Sequence, residues 1–313
     1  MDRISALIVA VALLLGAATG VHANAPYKNA DLDARLTGYP EFVIRLGEDR
    51  IEAPARAIAG RTLVVEENPG AEEGHAFMLR IPDDVTEATV QAVVSSADSA
   101  AQETPEWFWR ATFAGNPDRA APGGGRAVAL VDLVPGRYLV GDPFRPASEY
   151  ARVEVVAETV APATKAEGPD AAVVAAMHEM AFDLPKEVHS GRQIWRVDNT
   201  GGMPHEIALL PVPAGATADD VKTAIGALMA DGAPDATPAA GDPLAKLGAA
   251  WACWHGEAIA GVGATSPSRS VWAQIDLAPG TYAAVCFVPD PATFTPHLMM
   301  GMTSIFTVDG ETA

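Results

Sequence analysis

The chain is short of cations: 21 Lys and Arg stand against 40 Asp and Glu, a net charge of −19. A surface of that sign repels polyphosphate and no Lys/Arg cluster offsets it, so nucleic-acid binding is set aside. Any macromolecular partner is expected to bring a basic or neutral face. Cysteine is almost absent, with two residues, Cys253 and Cys286. A disulfide framework is thereby excluded, although one bridge between an isolated pair is the ordinary expectation in an oxidising compartment. Histidine is sparse as well, at seven. The Gly-x-Ser-x-Gly elbow, the P-loop and the His-Glu-x-x-His helix are all missing, which removes the enzyme classes built on them.

Only the N-terminus carries a sustained apolar run. In MDRISALIVAVALLLGAATGVHA, Arg3 precedes the run 4–18, and Val21-His22-Ala23 gives a small-x-small end. That layout predicts a secretory signal peptide over 1–23, hence a periplasmic or secreted protein, because the run falls short of the roughly 20 residues a membrane helix needs. No integral membrane segment is expected after cleavage. The remainder, about 290 residues, suits two domains better than one.

The sequence repeats itself. IAGRTLVVEENPG (58–70) parallels HSGRQIWRVDNTG (189–201), GHAFMLRIP from Gly74 parallels PHEIALLPV from Pro204, and LVDLVPGRYLVGD (130–142) parallels QIDLAPGTYAAVC (274–286). Three matched segments in one order predict a duplication. Each repeat is rich in short apolar or alternating runs bounded by Gly, Pro and Asn, which predicts an all-β sandwich or barrel. Pro135-Gly136 and Pro279-Gly280 mark equivalent turns, each followed two residues later by a tyrosine, Tyr138 and Tyr282. One short helix is expected in each repeat, over 86–94 and from the Thr217 cap onward. The expected organisation is 24–156, a linker over 157–170, and 171–313, with a loose insertion over 232–241.

The chemistry is unequal between the repeats. The second carries His205, Cys286, His297 and Met302; in the first, His75 stands where His205 would and Asp142 takes the place of Cys286. A thiolate, two imidazoles and a thioether are the donors copper prefers in a trigonal site with a weak axial methionine. Read from the residues alone, Cys286 is equally a candidate for a bridge to Cys253, and His205 for a polar strand end. Cys253-Trp254-His255 has no evident partner ligand, His178 and His189 read as surface residues, and Asn199 and Gly201 as turn chemistry.

DNTGGMPHE (198–206), PGTYAAVC (279–286) and PHLMMGM (296–302) together resemble the ligand segments of the cupredoxin superfamily, the blue copper proteins of the plastocyanin and azurin kind. The resemblance covers 171–309, and more weakly 40–156 as a ligandless copy. It implies two tandem Greek-key β-sandwich domains, each with a short helical insertion, one copper ion held by His205, Cys286, His297 and Met302, and single-electron transfer rather than catalysis. A redox or copper-exchange protein partner would meet the site near an exposed edge of His297, flanked by Leu298, Met299 and Met300. Two departures stand out: ten residues separate Cys286 from His297, more than in classical members, and Glu206 replaces a supporting asparagine. The alternatives are a copper carrier using Met299 and Met300 in addition, and a metal-free binding module with a Cys253–Cys286 disulfide.

Overall fold

The computed structural model describes residues 32–70, 74–96, 105–117, 119–142, 149–157, 168–231 and 259–310. The expected signal segment, the insertion over 232–241, Cys253 to His255 and most of the expected linker lie outside the described residues. The first half supplies β1 (Glu41–Leu46), β2 (Ile51–Glu52), β3 (Arg56–Ile58), β4 (Gly60–Asn68) and β5 (Phe77–Arg80). Two helices follow, α1 (Glu87–Ser96) and α2 (Glu106–Trp109), then β6 (Thr112–Phe113), β7 (Gly125–Leu133), β8 (Gly136–Gly141) and β9 (Ala151–Val156). The second half repeats the series as β10 (Val173–His178), β11 (Ala181–Asp183), β12 (Glu187–His189), β13 (Gly191–Asn199) and β14 (His205–Val212). It continues through α3 (Ala218–Asp231), β15 (Ala260–Thr265), β16 (Arg269–Leu277), β17 (Gly280–Val285) and β18 (Thr303–Asp309).

Every strand pairing of the first half has its counterpart in the second: β1 lies parallel to β4 as β10 does to β13, and β3 parallel to β9 as β12 does to β18. The antiparallel pairs β4–β7, β5–β8 and β8–β9 recur as β13–β16, β14–β17 and β17–β18. This is the expected duplicated all-β sandwich. The equivalent turns carry equivalent bonds, with Tyr138 Oη donating to the Val134 carbonyl (2.9 Å) and Tyr282 Oη to that of Ala278 (2.8 Å). A buried phenol must find a partner, and here it closes the corner that Pro-Gly opens.

The halves are not joined by chain alone. β7 and β16, themselves counterparts, pair antiparallel through Trp272 opposite Leu130 and Ala273 opposite Ala129, so both halves share one eight-stranded sheet. A five-stranded sheet closes each half. The second seam lies at β15, where Ala114 bridges Thr265 and Pro117 bridges Val262. One apolar cluster runs through both sandwiches and includes Trp195, Phe306, Met78 and Tyr138. Each such large buried side chain contributes roughly 1.5–3 kcal/mol relative to exposure.

The helices form for the reasons the sequence suggests. Thr217 Oγ1 accepts the N–H of Asp220 (3.1 Å) while the Asp220 carboxylate takes the N–H of Thr217 (3.1 Å), a reciprocal cap at the start of α3. Thr86 Oγ1 likewise accepts from Thr89 (3.1 Å) ahead of α1. The short helix α2 is an addition that periodicity in a four-residue stretch does not reveal.

Candidate metal centre

Strand direction brings the candidate ligands to one end of one sheet. β17 runs antiparallel to both β14 and β18, with Val285 opposite Ala208 and opposite Thr303. The start of β14, the end of β17 and the approach to β18 therefore meet, and these carry His205, Cys286 and the 3-10 turn His297–Met300. The pairing of β14 with β15 slips between His205 and Ile207. Such a bulge re-aims a side chain, and here it falls on the first histidine.

His205 Nδ1 and His297 Nδ1 lie 3.0 Å apart, and Cys286 Sγ lies 3.5 Å from His297 Nδ1 and 4.0 Å from His205 Nδ1. The point equidistant from these three atoms is about 2.1 Å from each, between the roughly 2.0 Å of a metal–imidazole bond and the roughly 2.3 Å of a metal–thiolate bond. All three side chains are fully buried. Met302 is also fully buried, belongs to the same apolar cluster as Cys286, and donates its backbone N–H to the His297 carbonyl (3.0 Å). Cys286 is unbridged; Cys253, its other candidate partner, lies outside the described residues. The donor set fits a single copper ion in a dry trigonal pocket.

Burial sets the protonation states of the three candidate ligands. Burial pushes the Cys286 thiol well above its ordinary range, and the nearby Glu206 charge pushes the same way. Burial pushes His205 down to about 4, with the His297 imidazole adding to the effect and the Glu179 carboxylate opposing it. Burial also lowers His297, against the charges of Asp290 and Glu179. Both imidazoles are thus neutral at pH 7. Neither Nε2 has a hydrogen-bond partner among the described residues.

Glu206, where an asparagine was the expected support, performs the tie itself. Its N–H points at Cys286 Sγ (3.5 Å) and its Oε1 accepts the Phe287 N–H (2.9 Å), fastening β14 to the chain that leaves the cysteine. Asn199 does more than turn chemistry. Its Oδ1 accepts from Gly201 (2.9 Å), while its Nδ2 donates to the carbonyls of Met203 (2.8 Å) and Thr265 (2.6 Å). Thr265 is the strand partner of His205, so Asn199 locks the histidine's loop to its neighbour.

The long segment between Cys286 and His297 folds as a hairpin of its own. Pro289 bridges Pro296, the His297 N–H reaches the Val288 carbonyl (3.0 Å), and Asp290 Oδ1 caps Ala292 and Thr293 (3.1 and 2.8 Å). The extra length is absorbed in local hydrogen bonds. One expectation is corrected here: His297 has no exposed edge, its ring being fully buried. Leu298 is buried and Met299 lies against α3, where a Cβ on Gly226 would come within 3.0 Å of its Cε. Only Met300 of that trio is exposed, at 42%.

Register corrects a second expectation. Asp142 and Cys286 are counterparts, as expected, but Phe77 sits opposite Gly141 as Ala208 sits opposite Val285. Counting back, His75 matches Glu206 and Gly74 matches His205. The backbone bond follows suit, His75 N–H donating to Asp142 Oδ2 (3.1 Å) where Glu206 N–H faces Cys286. A Cβ at position 74 would lie 2.1 Å from Leu46 Cδ1, so Leu46 would have to move before a ligand side chain could stand there. In the first half Leu46 stands against that position. His178 pairs with Asp183 (3.4 Å) and His189 with Asp309 (2.9 Å), both at the surface; His178 lies beside the Gly201 turn that also meets His205, and its charge adds to the lowering of that imidazole.

No protein-family model matches the chain, and no curated protein does. Among solved structures, it is similar to a dithionite-reduced auracyanin from the photosynthetic bacterium Roseiflexus castenholzii, with 25% identity over 43% of this chain and 94% of that one, TM-score 0.25. Auracyanin A of Chloroflexus aurantiacus, a blue copper protein, shares 19% identity over 44% and 99% of the two chains, TM-score 0.23. A multicopper oxidase covers 86% of this chain and 88% of its own at 14% identity, TM-score 0.23.

Proposed function

We propose that this chain is an exported single-electron carrier of the blue copper kind, with one copper ion bound in its second half. The observation that carries the reading is the buried triangle of His205 Nδ1, His297 Nδ1 and Cys286 Sγ, at the separations one shared ion requires. Copper bound there would supply a reversible one-electron couple. The residues do the rest. His205, His297 and Cys286 would hold the ion, and Met302 would serve as the weak fourth ligand. Burial excludes water, and the Glu206 and Asn199 ties fix the ligand positions, so that little rearranges when the charge changes. Cys286 would give up its proton to become the thiolate ligand.

A carrier reading is supported by a single cluster of candidate ligands among the described residues, His205, Cys286 and His297, all of them buried. A strongly acidic surface points to a docking partner with a basic or neutral face. No helix of the described residues is long and apolar enough to cross a membrane, and export would rest on residues 1–23. The divisions 24–156, 157–170 and 171–313 are kept as the proposed domain limits.

Repeated cycles of one-electron reduction and oxidation of the copper-loaded protein, with a competing chelator present, test the reading. Retention of the ion through both states supports electron transfer. Loss of the ion on reduction would replace it with a copper-delivery role.

A further inference from the structure

The ligandless first half reaches the metal centre of the second. Trp109, at the end of α2, packs edge-to-face on Phe294, at the tip of the hairpin that joins Cys286 to His297, with ring centroids 5.9 Å apart at 72°. Phe294 is one of the few non-glycine residues with positive φ (57°) among the described residues. A bulky residue persists in that strained region only where its surroundings hold it. Two holds are visible: its N–H donates to the Asp290 carbonyl (2.8 Å), and its ring meets Trp109.

The platform under Trp109 is firm. Trp107, two residues earlier, is buried in a cluster with Leu79, Val90 and Phe113, and Arg110 forms a forked ion pair with Asp84 (3.3 and 3.0 Å). Phe108 completes the support, 5.4 Å from Trp109 and 5.5 Å from Phe113 by ring centroids. Ala264 of β15 packs against the same cluster, which ties the platform to the strand that pairs with His205.

We propose that Trp109 is a positioning residue that clamps the Cys286–His297 hairpin through Phe294, so that the first half holds the ligand loop of the second in its metal-ready shape. The consequence for copper rests on the reading above, whereas the clamp itself is a property of the metal-free chain.

The test is amide hydrogen exchange on the full chain without metal, in wild type, Trp109→Ala, Phe294→Ala and the double variant. Either single change is expected to speed exchange of residues 287–296 by about tenfold or more while β13 and β16 keep their protection, and Trp109→Phe to restore most of it. The double variant is expected to add less than about twofold, because both single changes remove one contact. Exchange within about twofold of wild type in a folded single variant, or fully multiplicative effects, would overturn the clamp. On the copper-loaded protein, Trp109→Ala should lose metal to a chelator about fivefold faster or more than wild type, with the visible spectrum shifted and Trp109→Phe reversing both. A wild type that takes up no copper would sink the functional reading, and the exchange result would still decide the clamp.

Discussion

Cys286 Sγ and His297 Nδ1 lie 3.5 Å apart across a hairpin, both shielded from solvent, with the thiol held in its protonated form by burial and by the Glu206 charge. An ion entering between them must displace that proton. Copper uptake at pH 7.5 in weak buffer is therefore expected to release about one proton per site from the thiol, read with a pH indicator. In the metal-free native protein, Cys286 should also react with thiol reagents more than about a hundredfold slower than in the unfolded chain. Uptake without proton release would mean that the thiol is not a ligand.

Acid should weaken the metal-free fold through His205. Its pKa falls from 6.5 unfolded to about 4 folded, so the unfolded chain binds more protons in that interval. The stabilisation is fully present above pH 6.5 and is lost as pH falls towards about 4, by up to roughly tenfold in the folded-to-unfolded ratio per pH unit. His297, shifted the same way, should steepen the decline. Urea midpoints between pH 7 and 4 check this, and His205→Gln is expected to flatten the slope.

Glu206→Ala removes the acceptor of the Phe287 N–H and is expected to cost about 1–3 kcal/mol by chemical denaturation. Glu206→Gln keeps an acceptor oxygen at that place and should recover more than half of the loss. Equal losses in the two variants would show that the carboxylate charge, and not the tie, is what matters.

Asn199 and Asn68 are counterparts that separate structure from function. Each accepts from a glycine two residues on, and each donates its amide to a buried carbonyl, Thr265 or Ala120. Replacing either with Ala should destabilise the protein by about 1–3 kcal/mol per orphaned group. Only Asn199→Ala should weaken copper retention, because only its loop leads to a ligand.

Much of this was legible in the residues. The duplication showed because paired turns such as Pro135-Gly136 and Pro279-Gly280 demand fixed local chemistry, and the unequal ligand content showed because Asp142 and Cys286 align by that turn. The match of His75 to His205 failed by one residue. Two histidines look alike on paper, whereas strand pairing measured from Phe77 and Ala208 places His75 beside Glu206. The burial of His297 had no signal in the sequence, nor did the Trp109–Phe294 contact, which arises from a hairpin meeting an element about 185 residues earlier in the chain. The part Glu206 plays is not visible in its residue type, because it depends on how far the side chain reaches toward the Phe287 N–H.

The most direct test is to add Cu(II) to the purified, reduced protein and record its visible spectrum. A metal bound by Cys286 should give an intense thiolate-to-copper charge-transfer band, and Cys286→Ser should abolish it while Asp142→Asn leaves it unchanged. A band that survives in Cys286→Ser, or a wild type with none, would contradict copper ligation by this triangle.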